Sequence, residues 1–162
     1  MQLKYYILFF AAVGFLSSCD LGEEPAIEGV AIQEMTGEWW TTFTVGGEDI
    51  YGLGHQLITT YNTAGNSTTE MWLDDIQHTW GYKLRVPINF DSQTFGGTDS
   101  IPELYFGVKA LVNNGQITEN DTETSGGNTT DGISFDIEFS NDPGTIYRVE
   151  GYRRTGFQED EH

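Results

Sequence analysis

A two-residue period in the apolar side chains constrains this chain more than any other feature. In residues 132–139, isoleucine and phenylalanine alternate with serine, aspartate and glutamate. Residues 82–90 alternate in the same way, with tyrosine, leucine, valine, isoleucine and phenylalanine on one face. Such a period indicates a β-strand that buries one of its faces. Because no segment after Gly37 keeps a helical period, the sequence predicts an all-β domain from that residue onward.

Several shorter runs repeat this pattern and are separated by clusters of glycine, asparagine, aspartate and threonine. The runs are residues 38–45, 56–61, 69–74, 82–90, 104–112, 116–119, 132–139 and 145–154. Asn113-Asn114-Gly115 predicts a hairpin turn, because Asn-Gly suits backbone with positive φ. Pro87 lacks the N–H that a strand ladder needs, so we expect an edge or a bulge there. Residues 120–131 are polar and predict a loop.

The number and order of these strands favour a closed sheet. About eight strands follow one another up and down, and closure removes the exposed edges of such a sheet. We therefore expect an antiparallel, up-and-down β-barrel of about eight strands. A barrel of that size encloses only packed side chains or one small ligand.

The first nineteen residues have the order of an export signal. Lys4 precedes an apolar run that ends at Phe15, and Leu16-Ser17-Ser18-Cys19 follows. This order is typical of a secretory signal peptide, and a cysteine directly after Leu-Ser-Ser is the pattern of a bacterial lipoprotein. Cys19 is the only cysteine and has no disulfide partner in the chain. We expect cleavage before Cys19 and its acylation, against the alternative of an ordinary core cysteine.

The rest of the chain divides by composition. Residues 20–35 are acidic and without a period, which indicates a tether; residues 36–157 form the barrel, and residues 158–162 a charged tail. Acylation of Cys19 would attach the chain to a membrane. We therefore expect an exported, lipid-anchored protein of the outer membrane, on either its periplasmic or its cell-surface face.

The charge of the chain excludes some classes of partner. Seven basic and 25 acidic side chains give a formal net charge of −18. Nucleic-acid binding needs a basic surface, and so does docking on an anionic membrane through lysine and arginine. We expect no nucleic-acid partner, and the sequence names no protein partner.

The first predicted strand carries a tryptophan, and the last carries two adjacent arginines. Gly37-Glu38-Trp39 opens the first strand, and Arg153-Arg154 lies near the end of the last. This pattern resembles that of the lipocalins and the wider calycin group, in which the tryptophan plugs one end of the barrel and the arginine packs over its ring. A guanidinium is attracted to an indole face. Arg153 and Tyr147 are six residues apart in the predicted last strand, so their side chains should point to the same, inward face. We therefore expect Arg153, rather than Arg154, to pair with Trp39.

Longer segments resemble a narrower group. Residues 37–39, 51–54, 60–63, 69–75 and 147–157 are similar to lipocalin-like bacterial lipoproteins described as lipid-binding putative hydrolases. The resemblance implies a β-barrel and an apolar ligand. It carries over no catalytic motif.

The interior of such a barrel has two interpretations. Its apolar candidates are Trp39, Phe43, Met71, Leu73, Tyr82, Leu84, Phe106, Val108, Phe135, Ile137 and Tyr147. They either line a cup for a small hydrophobic or amphipathic, lipid-like ligand, or they fill the core. In the second case the protein is a non-catalytic accessory of surface assembly that works through its outer face. Trp40, Trp72 and Trp80 would lie outside or at the mouth.

Catalysis is a third interpretation, as a weak hydrolase of a lipid-like ester. The nucleophile motif Gly-x-Ser-x-Gly is absent from the sequence. His55 and His78 are candidates for a histidine bound to a hydroxyl and an acid at the mouth. A carboxylate pair could come from Glu70, Asp74 and Asp75. Solvated or structural roles explain all of these residues, so the sequence assigns no catalytic residue.

The sequence also assigns no metal site and no cofactor. Residues 121–126 imitate the start of an EF-hand loop, but Gly132 stands where calcium needs a bidentate glutamate. No Cys/His cluster has the spacing of a zinc site.

Overall fold

The computed structural model describes residues 29–162. The predicted signal, the predicted acylation site Cys19 and residues 20–28 of the predicted tether lie outside the described residues. Nine strands make up the fold: β1 (Gly37–Thr44), β2 (Gln56–Asn62), β3 (Glu70–Asp74), β4 (Lys83–Asn89), β5 (Thr94–Phe95), β6 (Ile101–Pro102), β7 (Lys109–Glu123), β8 (Thr129–Phe139) and β9 (Tyr147–Arg153). Two 3₁₀ turns, η1 (Gln33–Met35) and η2 (Gln158–Asp160), are the helical elements of the described chain. Within residues 29–162, no helix has the length and apolar character needed to span a bilayer.

The strands close into one antiparallel barrel. Each of β1 to β4 pairs with the next strand, β7 pairs with β8 and β8 with β9, and β9 pairs back to β1. The short β5 pairs with both β4 and β7 and completes the ring, while β6 pairs only with β7. The sequence prediction of an all-β, up-and-down barrel of about eight strands is confirmed.

The inner faces of the strands fill the barrel. The two-residue period places every second side chain inside, and these side chains are almost wholly shielded from solvent. The largest fully buried ones are Trp39, Tyr82, Tyr147, Phe43, Phe135, Phe139, Ile32, Met35, Ile58, Met71, Leu73 and Leu84. The best-formed recesses of the described surface, with volumes of about 200 to 470 Å³, open outward between the strands instead.

The Asn-Gly signal produces a bulge rather than the predicted hairpin. The strand β7 runs through it, and its register with β8 shifts between Asn113 and Gln116. Asn114 has a φ of +52°, which an extra residue in a bulged strand requires. The strand then continues to Glu123, so the predicted loop of residues 120–131 narrows to the turn 124–128.

The segment before the barrel is part of the packed domain. Residues 29–35 belong to the predicted tether, yet Ile32 and Met35 have no exposed surface and join the core. The hydroxyl of Thr60 donates to the Met35 carbonyl oxygen at 2.7 Å, and the Ala31 N–H donates to Asn66 Oδ1 at 2.8 Å. The domain boundary therefore lies before Ile32, and η1 covers one end of the barrel, which we call the closed end.

The tail is also anchored. The carboxylate of Asp160, in η2, is fully buried and accepts hydrogen bonds from Thr124, Thr155, Asn128 and the Gly126 N–H. These bonds hold the predicted charged tail against the β7–β8 turn.

Arg153 joins four parts of the chain at the closed end. Its guanidinium carbon lies 4.4 Å from the centre of the Trp39 ring, and Nε donates to Asp131 Oδ2 at 2.8 Å. Nη1 donates to the Thr36 carbonyl oxygen, and Nη2 donates to that of Glu34 at 2.8 Å. The Trp39 Nε1–H donates to the Thr60 hydroxyl at 2.9 Å, so the indole is also satisfied.

Replacing Arg153 by leucine should destabilise the domain. The change removes a cation–π contact and leaves the Asp131 carboxylate and two carbonyl groups without their donor, a loss of about 2–4 kcal/mol. Urea unfolding of the R153L variant measures it. The control is R154L, since Arg154 makes exposed ion pairs with Glu38 and Glu161; equal losses for both variants would contradict this role of Arg153.

Candidate functional site

Four loops form the end of the barrel opposite η1, which we call the mouth. They are residues 45–55 between β1 and β2, 75–82 between β3 and β4, 103–108 between β6 and β7, and 140–146 between β8 and β9. The closed end carries the entry of the chain, the β2–β3 and β7–β8 turns, and the end of β9. The two ends differ sharply in the apolar surface that they expose.

Exposed apolar side chains concentrate on the mouth loops. Among the described residues, seven large apolar side chains are well exposed, and six of them stand on these loops. The six, which we call the rim, are Ile50, Tyr51, Ile76, Leu104, Phe106 and Ile146. The seventh, Phe157, lies beyond the end of β9. Apolar side chains gathered at one site of a soluble domain mark a contact with a ligand or partner.

An aromatic cluster closes the mouth beneath the rim. The Trp80 ring stacks on Phe139, with centroids 5.2 Å apart and planes 15° from parallel, and meets Tyr147 at the same distance. Tyr51 covers both, at 6.3 Å from Trp80 and 6.4 Å from Tyr147. Trp80 is only partly buried and comes from a loop, whereas Phe139 and Tyr147 belong to strands. The indole is therefore a plug between the interior and solvent.

Asp75 shapes the loop that carries Trp80. Its buried carboxylate accepts hydrogen bonds from the N–H groups of Gln77, Thr79, Gly81 and Tyr82, and from the Thr79 hydroxyl. A buried carboxylate whose two oxygens accept hydrogen bonds from the backbone and side chain of its own loop fixes the conformation of that loop. Asp75, which the sequence offered as one possible member of a carboxylate pair, is committed to this role.

Asp74 is held in a second network at the same end. Its oxygens accept hydrogen bonds from the hydroxyls of Tyr105 at 2.6 Å and Tyr61 at 2.8 Å, and Lys83 Nζ lies 3.2 Å away. Burial raises the pKa of Asp74, but these donors and the Ile76 N–H outweigh it and bring the pKa below its usual value. Burial and the nearby Asp74 raise the pKa of Tyr105 to about 12.

Glu103 explains why two predicted interior residues lie elsewhere. Its buried carboxylate accepts from the N–H groups of Lys83, Tyr105 and Phe106, and so turns the chain sharply after β6. The predicted strand 104–112 therefore begins only at Lys109. Phe106 is 65% exposed on the rim, and Val108 is half-buried in the loop. The prediction that these two side chains face the barrel interior is wrong.

The other predicted ligand-binding residues do share one interior. Trp39, Phe43, Met71, Leu73, Tyr82, Leu84, Phe135, Ile137 and Tyr147 all lie in the core cluster. They pack against one another and against Phe95, Phe139 and Ile133, which the prediction omitted. The structure thus has a filled interior, and a ligand reaches it only by displacing a side chain.

The Tyr82 hydroxyl is an exception in this packed interior. The ring is fully buried and lies 6.0 Å from Phe139 and 6.4 Å from Phe135. The hydroxyl has no hydrogen-bond partner among the described residues. Burial first, and then the charges of Asp75 and Asp74, raise its pKa well above the usual value, so the phenol stays neutral. An unsatisfied buried hydroxyl costs about 1–3 kcal/mol.

The candidate catalytic histidines belong to two of the mouth loops, and their rings contact β2, β9 and His162. The ring of His78 bonds the Leu57 carbonyl oxygen through Nδ1 at 3.0 Å. His55 stacks on His162, with centroids 4.0 Å apart, and His162 contacts the Tyr152 hydroxyl at 2.5 Å. Burial and the neighbouring His162 lower the pKa of His55.

The remaining polar candidates are also accounted for. Glu70 pairs with Arg85 at 3.4 Å across β3 and β4. The segment imitating a calcium loop forms the end of β7 and the turn after it. No group of three or more His, Cys, Asp or Glu side chains that could hold a metal ion occurs within residues 29–162.

Comparison with known proteins points to a single family. The family model described as "Lipid-binding putative hydrolase" matches residues 24–158, which include all nine strands. This match confirms the resemblance found in the sequence. A search of the curated proteins returns no match.

The Asp74 network should make stability depend on pH in the acid range. Because the folded pKa of Asp74 is lowered, its contribution is present above the usual value near pH 3.8 and is lost as the pH falls through the folded pKa. Urea unfolding of the D74N variant at pH 6 should show a loss of about 2 kcal/mol. The loss should shrink at pH 3 and below, and a loss independent of pH would contradict the prediction.

Proposed function

Because the chain belongs to the family of lipid-binding putative hydrolases, we propose that it captures a small amphipathic, lipid-like molecule at the mouth of its barrel. The observation that carries this proposal is the rim, which gathers six exposed apolar side chains on four loops of one end. The opposite end exposes Phe157 alone among the large apolar side chains of the described chain.

Binding requires the ligand to displace the Trp80 side chain from its place in the aromatic cluster. An acyl chain that enters between the rim residues meets the Trp80 indole, which packs on Phe139 and Tyr147. Loop 75–82 holds the indole, and moving it outward leaves two aromatic faces for the acyl chain. Burying apolar surface stabilises the complex by about 25 cal/mol per Å². Exposing the displaced indole offsets part of this gain, so we expect micromolar rather than nanomolar affinity.

The proposed anchor fits the position of the mouth. Gly29 leads into η1 at the closed end, so acylated Cys19 would attach the domain by that end. Residues 20–28 span at most about 30 Å when extended. The mouth then faces away from the anchoring bilayer, toward the periplasm or the outside of the cell. A ligand would reach it from that compartment.

A second function is favoured by the filled interior. A barrel whose core is complete can act through its outer wall, as an accessory of surface assembly. The recess of about 200 Å³ lined by Trp72, Arg85 and Leu104 lies on that wall, beside the rim. In this case no lipid enters, and the rim residues contact a protein.

Hydrolysis is not part of the proposal. The two histidines with candidate roles contact the outer wall, and Asp74 and Asp75 are each occupied by donors of the fold. A catalytic histidine would need a hydroxyl and an acid at the place where the ligand binds.

A charge on the rim should weaken ligand capture. Phe106→Asp places a carboxylate where the ligand crosses the rim, and we expect at least about a tenfold loss of affinity for a ten-carbon amphiphile. Phe106 is exposed, so thermal unfolding should change little. The matched control is Phe157→Asp, which alters another well-exposed phenylalanine, 54% exposed against 65% for Phe106, at the other end. Equal losses for both variants would contradict capture at the rim.

Native mass spectrometry distinguishes the two functions. We expect the protein purified from its source to carry an adduct of lipid-like mass, which organic extraction removes and an added amphiphile restores. A clean mass before extraction that no added lipid shifts would overturn lipid capture and favour the accessory role.

A further inference from the structure

The charge of the mouth is uniform in sign. The four mouth loops contain Glu48, Asp49, Asp75, Glu103 and Asp142, and no lysine or arginine. Two lysines begin strands at this end: Lys83 of β4 pairs with Asp74, and Lys109 of β7 is exposed directly after the loop 103–108. Asp49 is held by the N–H groups of Leu53 and Gly54, which lower its pKa and keep it ionised. The mouth thus combines an apolar rim with carboxylates that cations of the same loops do not neutralise.

One of these carboxylates lies against the aromatic cluster. The Tyr147 hydroxyl donates to Asp142 Oδ2 at 2.5 Å, and the Tyr51 hydroxyl lies 3.3 Å from that of Tyr147. Tyr51 is 51% exposed, and Trp80 is partly exposed beside it. Aromatic faces next to a carboxylate form the surroundings that ammonium groups prefer, because the ring faces are electron-rich.

The interior near the mouth also leaves one polar group without a partner. Four buried side-chain atoms of the described residues lack a partner, and the Tyr82 hydroxyl is the one that belongs to the barrel interior beneath Phe139. The stacked ring of Trp80 covers Phe139 on its outer side. The neutral phenol lies close to the carboxylates of Asp75 and Asp74, so the negative charge of the mouth extends to the interior.

From these three features we propose that the polar end of the ligand is positively charged, as an amine or a quaternary ammonium group. This inference rests on the proposed capture of an amphiphile at the mouth. The acyl or alkyl chain contacts the rim and Phe139, and the cation contacts the ring faces of Tyr51 and Trp80 near Asp142.

The same features disfavour an anionic head group. A fatty-acid carboxylate at the mouth would lose hydration beside Asp142 and the other acids without meeting a free cation of the mouth loops. It would have to bind protonated, and its affinity would fall as the pH rises. A neutral head group avoids the repulsion but gains nothing from the carboxylates.

Three probes with ten-carbon chains test the inference: decyltrimethylammonium, monodecanoylglycerol and decanoate. Isothermal titration of the purified protein at pH 7.5 and low salt gives their affinities. We expect the ammonium probe to bind at least about tenfold more tightly than decanoate, with the glycerol ester between them. The preference should narrow at high salt, because screening weakens the charge term.

A matched pair of variants separates the mouth from the general negative charge of the protein. Asp142→Asn and Asp91→Asn each remove one charge, the first beside the aromatic cluster and the second in the exposed β4–β5 loop of the closed end. We expect D142N to lower the affinity for decyltrimethylammonium about three- to tenfold. The D91N variant should leave it within a factor of two and should not alter binding of the glycerol ester.

Two results would overturn the inference while capture itself stands. One is decanoate binding as tightly as the ammonium probe, and the other is an equal effect of D142N and D91N. Failure of all three probes to bind would instead overturn the proposed capture and the inference with it.

Discussion

The contact between Arg153 and Trp39 closes the barrel, and the rest of the structure depends on that closure. These residues face each other in the register of β1 and β9, the first and last strands. The guanidinium also holds the carbonyl groups of the entering segment and Asp131 of β8. A Cβ at Gly37, two residues before Trp39, would overlap this guanidinium, so a larger residue there would force the guanidinium to shift. The Arg153 side chain thus holds together the first strand, the last strand and the η1 segment that covers the closed end.

Closure at one end leaves the mouth free to expose apolar surface. At the closed end, Arg153 binds the carbonyl groups of Glu34 and Thr36, and η1 buries Ile32 and Met35. At the mouth, Asp75 and Glu103 use their carboxylates to bind the backbone of their own loops. The loops are thereby shaped without an apolar core of their own. Their apolar tips remain in solvent, where they cost stability unless a ligand or partner covers them.

The alternation of apolar and polar residues predicted much of this fold. In a strand that buries one face, every second residue is apolar, so the sequence indicates which side chains face the interior. Strands β1, β4 and β8, and nine of the eleven candidate interior residues, follow from that pattern. The pattern misplaced Phe106, since it cannot show that Glu103 binds three N–H groups and turns the chain. It missed Ile32 and Met35 because a single 3₁₀ turn has too few residues to establish a period. The rim was missed for a related reason: whether a loop side chain is exposed depends on turns that local carboxylates fix.

The central claim is that an amphiphile binds at the mouth, and its most direct test is a map of perturbed backbone amides in an isotope-labelled sample. Titration with decyltrimethylammonium, followed by ¹⁵N–¹H correlation spectra, reports every loop at once. The account predicts shifts confined to residues 45–55, 75–82, 103–108 and 140–146, together with the Trp80 indole N–H. Shifts concentrated on the outer wall around residues 116–134, or at the closed end, would contradict it.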